Sequence, residues 1–305
     1  MDENLLIVIA GPTACGKTSL AIQLARYLNT EIISADSRQI YREMSIGTAK
    51  PSAAELSAVK HHFIGSRSVT EYYNASLYEM EVLELLHNLF KKHKPVIITG
   101  GSGLYINAVC NGIDDFPTVD PAVRKKLKDI YRETGLPGVQ TLLKQSDEIY
   151  YQKVDLNNPQ RILKALEIIE ITGKPYSAFL NGRKKKRDFR LIRIGLDLPR
   201  PELHERINKR VDYMLKNGLL GEIQELYPLK HFNALNTVGY KELFSYMDGQ
   251  YTLEEAVERV KAHTRQYARR QLTWFRKEKD MKWFHPENID GIKDFIAHNS
   301  VNNEC

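Results

Sequence analysis

Cysteine is scarce: there are three in 305 residues, Cys15, Cys110 and Cys305, scattered and odd in number. That excludes a disulfide scaffold, and no Cys/His cluster has the spacing of a zinc site. No run approaches the ~18 consecutive apolar residues of a membrane span, and no basic flank precedes a secretory apolar stretch at the N-terminus. Internal repeats are absent, as are low-complexity tracts apart from one basic run. What is present, 42% hydrophobic and 27% charged residues, suits a globular chain with a sizeable core. The expectation is a cytoplasmic protein without a membrane partner, about two domains long at ~150 residues each.

Charge is unevenly placed. Lys and Arg number 44 against 38 Asp and Glu, a net of +6. The segment from Pro117 to Arg187 holds 15 basic and 8 acidic residues and the remainder 29 and 30, so this segment carries the whole excess. It ends in Arg183-Lys184-Lys185-Lys186-Arg187. Such a run reads either as a solvated loop or as a footprint for a polyanion, because Lys and Arg displace counterions from phosphates. A second basic stripe lies in Leu253 to Phe284, which reads as one long helix. Its apolar Val257, Val260, Tyr267, Leu272 and Phe275 alternate with Arg259, Lys261, Arg265, Arg269, Arg270, Arg276 and Lys277. That is the pattern of an amphipathic helix packed on a core.

Leu5 to Ala10 is continuously apolar, the signature of a buried parallel strand. A helical pattern runs from Lys17 to Leu28, and further strands read at Glu31 to Asp36, Pro95 to Thr99 and Arg190 to Leu198. Strands alternating with helices predict an α/β fold, doubly wound on a mainly parallel sheet. The basic middle shows no strand. Asp120-Pro121 starts one helix, and Asn158-Pro159 starts another that ends near Thr172, before Gly173 and Pro175. The expected organisation is a core of residues 1–116 and 188–305 with a basic helical insertion domain at 117–187.

Gly11-Pro12-Thr13-Ala14-Cys15-Gly16-Lys17-Thr18 matches G-x-x-x-x-G-K-[ST] in full, between a strand and a helix, as in a P-loop NTPase-like core. Its glycines let successive N–H groups point inward, and the helix N-terminus adds partial positive charge. Lys17 can reach a terminal phosphate, and the Thr18 hydroxyl can ligate Mg²⁺. An ATPase would want a strand closing on Asp-Glu. Here the second strand closes on Ala35-Asp36-Ser37 and the third on Thr99-Gly100-Gly101. Asp36 could hold Mg²⁺ indirectly, but nothing beside it is suited to activating water, which leaves a small nucleotide kinase open.

Taken together, the motifs resemble the tRNA dimethylallyltransferase (tRNA isopentenyltransferase) family. They are the loop at 11–18, Ile-Ser-Ala-Asp-Ser-Arg-Gln-Ile-Tyr at 33–41, Ile-Gly-Thr-Ala-Lys-Pro at 46–51 and Thr-Gly-Gly-Ser-Gly-Leu-Tyr at 99–105. Then come Asn-Asn-Pro-Gln-Arg-Ile-Leu-Lys-Ala-Leu-Glu at 157–167, Val-Gly-Tyr at 238–240 and Thr-Arg-Gln-Tyr-Ala-Arg-Arg-Gln-Leu-Thr-Trp at 264–274. The resemblance implies transfer of a dimethylallyl group from dimethylallyl diphosphate to N6 of the adenosine 3′-adjacent to the anticodon (position 37), in tRNAs that read codons beginning with U. It also implies that the adenosine is flipped into a channel. The phosphate chain is then a leaving group whose charge the loop amides, Lys17 and Mg²⁺ would stabilise.

The resemblance assigns roles to residues. An adenine amino group must shed a proton as the N–C bond forms, and Asp36 matches the family's general base; the competing reading of Asp36 is a cap for the following turn. Gly11 to Thr18 would hold diphosphate. Thr13 and Lys17 would contact the reacting groups, with Arg161 and Arg210 offering guanidinium forks. Arg206, four residues before Arg210, reads as a surface ion pair. Asp36, Ser37, Arg38 and Gln39 match the stretch that touches the target nucleotide. Ser102, Arg124, Gln160, Arg161 and Lys164 match further tRNA contacts. Three positions depart from the family pattern: Ser102 stands where Thr is usual, Lys164 where Arg is frequent, and Gly65 where Asp is common.

The chain ends without the Cys/His module of eukaryotic relatives, so the resemblance is to the bacterial form. Its expected partners are the tRNA anticodon stem-loop and dimethylallyl diphosphate, with Mg²⁺ as cofactor and the protein a monomer. Three rivals remain: an adenylate isopentenyltransferase acting on free AMP, ADP or ATP, a P-loop nucleotide kinase, and a noncatalytic RNA-binding module. The last is hard to reconcile with a complete loop plus Asp36.

Overall fold

The computed structural model describes residues 3–114, 116, 117, 120–180 and 184–301. The chain divides into two compact units, Met1–Asn111 with Lys186–Cys305, and Gly112–Lys185.

The first unit opens with β1 (Leu5–Ala10), α1 (Lys17–Tyr27), β2 (Ile32–Ser34), α2 (Ala53–Ala58), β3 (His61–His62), α3 (Ala75–Leu89), β4 (Val96–Gly100) and α4 (Gly103–Asn111). The second unit contains α5 (Pro121–Ser146), α6 (Glu148–Tyr151) and α7 (Pro159–Thr172). The first unit then resumes with β5 (Arg190–Leu196), α8 (Arg200–Lys216), α9 (Leu219–Leu226), α10 (Tyr240–Met247), α11 (Leu253–Phe275), β6 (Met281–Phe284) and α12 (Ile289–Val301). The strands form one parallel sheet in the order β3-β2-β4-β1-β5-β6. β1 lies between β4 and β5, every one of its residues buried. A strand covered on both faces needs apolar side chains on both, hence its unbroken run. From β1 the chain builds one side of the sheet through β2, β3 and β4, then crosses to build the other with β5 and β6. The loops after β1, β2 and β4 therefore open at the carboxyl edge near that change of direction, where α/β sheets bind ligands.

Two expectations about elements need correcting. Leu253 to Phe284 is not one helix, for α11 ends at Phe275 and Met281–Phe284 is β6, paired in parallel with β5. Arg276-Lys277-Glu278-Lys279-Asp280 is wholly charged and offers a helix no apolar face to bury. The second expected strand is also shorter, Ile32–Ser34, so Asp36 stands in the turn just beyond it. β3 was not expected, because two histidines carry no strand periodicity.

In the second unit α5 starts at Pro121 behind an Asp120 cap and α7 at Pro159 behind an Asn158 cap. Gly173 ends α7 in the left-handed conformation. The backbone of α5 leaves helical geometry at Gly135, two residues before Pro137. Leu127, Val139, Leu143, Ile162, Ala165, Leu166 and Tyr176 form this unit's own apolar core. Asp147 ties it together by accepting from Tyr150 N, Ser177 N and Ser177 Oγ.

The basic run does not behave as a block. Arg183 lies outside the described residues, while Lys184 and Lys186 are exposed. Arg187 is instead buried in the first unit, its side chain 10% exposed, and donates to Glu79 Oε1 at 2.6 Å, Ala108 O at 2.7 Å and Val109 O at 2.8 Å. Its guanidinium anchors α4 to α3, so it is neither a solvated charge nor a surface for a polyanion. Arg187→Ala would remove one partner of a buried ion pair, the one that Arg187 makes with Glu79, with an expected cost of about 3–5 kcal/mol. Thermal unfolding measures this, and an unchanged midpoint would contradict the anchoring role.

Candidate active site

The loop after β1 returns the chain into α1 through Gly16, whose φ of +93° is accessible to glycine without strain. Lys17, the first helical residue, has no side-chain cap ahead of it. Among the described residues no acceptor meets the N–H groups of Ala14, Cys15, Gly16, Lys17 and Thr18. Five consecutive donors at the positive end of a helix are a cradle for an anion. Lys17 folds back over the loop, its Nζ 2.5 Å from Pro12 O and 3.8 Å from Cys15 Sγ.

Asp36 lies in the turn after β2, two strands from β1 in the sheet, and its charge acts on Arg210, which contacts the loop. Its Oδ1 accepts from Arg38 N at 2.9 Å and Gln39 N at 3.2 Å, which caps the turn. Oδ2 meets no donor among the described residues. Both readings of Asp36 therefore hold at once: one oxygen shapes the turn and the other remains open. Ser102, at the start of α4, closes the turn from the far side. Its Oγ accepts from Ser37 N at 2.9 Å and donates to Ser37 Oγ at 3.1 Å, while its N–H donates to Ala35 O at 3.2 Å. The hydroxyl that replaces a Thr is thus engaged.

Arg210 reaches from α8 to the loop, with Nη1 3.1 Å from Thr13 Oγ1. Burial pulls its pKa down, while the charges of Cys15, Asp36 and Glu55 work the other way; an Arg remains a cation in either case. No carboxylate partner within ion-pair distance accompanies it among the described residues. Arg206, one turn earlier, is paired with Glu202 at 2.7 Å and Glu287 at 3.6 Å. A desolvated cation without a bound carboxylate is suited to an incoming anion.

The expected nucleotide-contacting stretch separates in use. Gln39 is a brace: its Nε2 donates to Thr48 O and Ala49 O, each at 3.0 Å. Arg38 has no side-chain partner among the described residues, yet its charge acts on Tyr41, Tyr105 and Tyr267. Tyr267, on α11, is pushed up to about 12 by burial and by the charge of Asp36. Its phenol therefore stays protonated beside that carboxylate.

Arg124, Gln160, Arg161 and Lys164 belong to the second unit. Arg124 forks onto Glu167, with Nε to Oε1 at 3.0 Å and Nη2 to Oε2 at 3.5 Å. Gln160 and Arg161 are exposed in the first turn of α7. Lys164 follows one turn later, its Nζ 5.8 Å from the centre of the Phe116 ring.

Sequence reasoning missed Gln271. Its Oε1 accepts from Thr13 N at 2.9 Å and its Nε2 donates to Gly101 O at 2.8 Å, so one carboxamide joins the loop after β1 to the turn after β4. A signal existed: Gln271 falls between Ala268 and Phe275 on the buried side of α11, and a polar residue on such a face must find partners. Also missed was Glu222, which accepts from Ser45 N, Ile46 N and Gly47 N at 2.7, 2.6 and 2.9 Å and from the Tyr240 hydroxyl at 2.7 Å. It pins the loop that Gln39 braces from the other side.

The family model for IPP transferase matches residues 39–278. A tRNA dimethylallyltransferase 2 of Azobacteroides pseudotrichonymphae is 51% identical over 97% of this chain and 98% of its own. A tRNA dimethylallyltransferase of Christiangramia forsetii is 52% identical over 96% and 98%. Among solved structures, the tRNA isopentenylpyrophosphate transferase of Bacillus halodurans superposes with a TM-score of 0.71 at 35% identity, covering 98% of this chain and 97% of that one. A eukaryotic dimethylallyltransferase, described as acting on tRNA, gives 0.81 at 28% identity over 99% and 81%. A complete phosphate loop and an open carboxylate, together with these likenesses over the full sheet, place the chain in the IPP transferase family.

Proposed function

We propose that this protein is a tRNA dimethylallyltransferase that moves the dimethylallyl group of dimethylallyl diphosphate onto N6 of the adenosine at position 37, 3′-adjacent to the anticodon, in tRNAs reading codons beginning with U. The observation that carries the reading is the pairing of five open loop amides with one open oxygen of Asp36. As the allylic C–O bond breaks, negative charge grows on the departing diphosphate. The amides of Ala14 to Thr18, Lys17 and Arg210 are already in position to receive it. As the N–C bond forms, the adenine amino group becomes acidic, and Asp36 Oδ2 takes its proton. Thr13, held by Arg210, lies at the loop's entrance next to the reacting carbon, and Ser37, Arg38 and Ser102 would frame the flipped base.

Mg²⁺ fits this donor set: Thr18 would hold it together with oxygens of the diphosphate, since Mg²⁺ is commonly bound by one or two protein groups plus phosphates, and it would supply further charge neutralisation. Gln160, Arg161, Lys164 and Arg124 would hold the anticodon stem-loop. The reading needs one copy of the chain, a monomer. It places the protein where tRNAs are matured, in the cytoplasm, and no helix among the described residues is long and apolar enough to cross a membrane.

Incubation with labelled dimethylallyl diphosphate and either unmodified tRNA or AMP tests the proposal. Label is expected in tRNA, as N6-isopentenyladenosine after digestion. Label in AMP and not in tRNA would favour an adenylate isopentenyltransferase, and phosphoryl transfer from ATP without prenyl transfer a nucleotide kinase. Replacing Lys184, Lys185 and Lys186 with Ala should weaken tRNA binding and reduce the slope of log affinity against log salt by up to about 2, leaving donor affinity unchanged. An unaltered slope would return these lysines to the role of a solvated linker.

A further inference from the structure

We infer that Gln271 is a positioning residue for prenyl transfer, one that sets the spacing between the loop after β1 and the turn that carries Asp36. The inference rests on the prenyl-transfer reading, and adds to it what holds the donor half of the site in register with the half that takes the proton.

The two halves are not neighbours in the sheet. β4 lies between β1 and β2, so the turn after β4 separates the loop from Asp36 and is tied to each. On the Asp36 side, Ser102 N donates to Ala35 O at 3.2 Å, and Ser102 Oγ meets Ser37 N at 2.9 Å and Ser37 Oγ at 3.1 Å. A Cβ on Gly100 would stand 2.1 Å from Ala35 O, so that spacing admits no side chain. On the loop side the ladder between β1 and β4 stops at Ala10 and Gly100, and Thr13 lies beyond it. There Gln271 takes over, accepting from Thr13 N at 2.9 Å and donating to Gly101 O at 2.8 Å. The carboxamide is itself held: Gln271 is 6% exposed, between Ala268 and Phe275 at 1% each, and a Cβ on Gly101 would stand 2.2 Å from its Nε2. A continuous path therefore runs from Thr13 through Gln271, Gly101, Ser102 and Ser37 to Asp36. Loss of Gln271 leaves the amides of Ala14 to Thr18 and the bonds that cap the Asp36 turn as they are, but frees the distance between them. In the reaction the C–O bond to diphosphate breaks, the bond from N6 to that carbon forms, and the N6 proton passes to Asp36. These atoms must line up together, and a misplacement of about 1 Å costs about 10²-fold in rate. Each substrate alone meets just one half, so its affinity does not register the change.

Single-turnover transfer from labelled dimethylallyl diphosphate to unmodified tRNA, measured beside equilibrium binding of inorganic diphosphate and of tRNA, tests this on the whole protein and on Gln271→Met. Methionine is unbranched and close in volume, and makes neither hydrogen bond. The rate constant should fall about 10²-fold, while both affinities stay within about threefold of the wild type and the amplitude of the turnover is unchanged. A merely structural role gives the opposite pattern, since a partly unfolded sample loses amplitude and keeps its rate constant. Gly101→Ala displaces the carboxamide from its other end and should reproduce the loss of rate at retained affinity; it is read in place of Gln271→Met if that variant does not fold. A rate constant within about threefold of the wild type, a loss of rate matched by an equal loss of either affinity, or a loss of amplitude alone would each overturn the role of Gln271 and leave the proposed function standing. Absence of transfer by the wild type would overturn both.

Discussion

Asp36→Asn should lower the single-turnover rate of prenyl transfer by about 10²–10⁴-fold, the usual worth of a positioned proton acceptor, with little change in tRNA affinity. The substitution isolates one of the two jobs of this side chain. An Asn oxygen can still accept from Arg38 N and Gln39 N, the bonds that Oδ1 makes now at 2.9 and 3.2 Å, so the turn keeps its shape. What disappears is a basic oxygen facing the site. Asp36→Ala removes the cap as well, and should add weaker tRNA binding to the loss of rate, because Ser37 and Arg38 are then less firmly placed. Capping residues contribute about 1 kcal/mol, which suffices to separate the two variants by affinity. An Asn variant that turns over at the wild-type rate would remove Asp36 from the chemistry and leave it only as a cap.

Arg210→Gln should cost about 10²–10³-fold in kcat, as loss of a preorganised donor to developing negative charge does elsewhere. The guanidinium donates to Thr13 Oγ1 with no carboxylate within ion-pair distance among the described residues, so its charge is available when the diphosphate leaves. Gln is two bonds shorter and loses the hydrogen bond to Thr13 Oγ1 together with the charge, so the comparison with a lysine variant is what separates electrostatics from packing. Arg210→Lys should recover part of the rate, since the charge returns without the two-pronged geometry. Rate constants and donor affinity measured together distinguish the outcomes: a loss confined to donor binding would mean that Arg210 contributes before the transition state and not within it. A Gln variant within about twofold of wild type would exclude both roles.

Much of this site could be read from one dimension. The loop is specified by four positions within eight residues, Gly11, Gly16, Lys17 and Thr18, and its glycines let the chain turn so that successive amides point inward. β1, as a strand buried on both faces, must be a run of apolar residues, and the turn at Ala35-Asp36-Ser37 sits where a strand must end. The helices of the second unit were visible because Asp120-Pro121, Asn158-Pro159 and Gly173 act locally, within one turn of the residues they cap. β6 was not visible, since four residues on a sheet edge gain their structure from pairing with β5 and carry little preference of their own. Arg187 looked like its neighbours in a basic run because nothing local distinguishes a buried arginine from a solvated one; Glu79 and the carbonyls of α4 do that from about a hundred residues away.

By itself the sequence determined the phosphate loop, the parallel α/β core around it, the helical middle and the carboxylate after β2, each a consequence of short-range spacing and of apolar runs long enough to be buried. Only the tertiary structure decided which polar atoms remain open. It fills the Thr13 amide with Gln271, aims Arg210 at Thr13, ties Gln39 to Thr48 and Ala49, and leaves one oxygen of Asp36 facing outward. The reason is that hydrogen bonds in a buried site are settled between side chains far apart in the chain, where each donor must find an acceptor or bear the cost of having none.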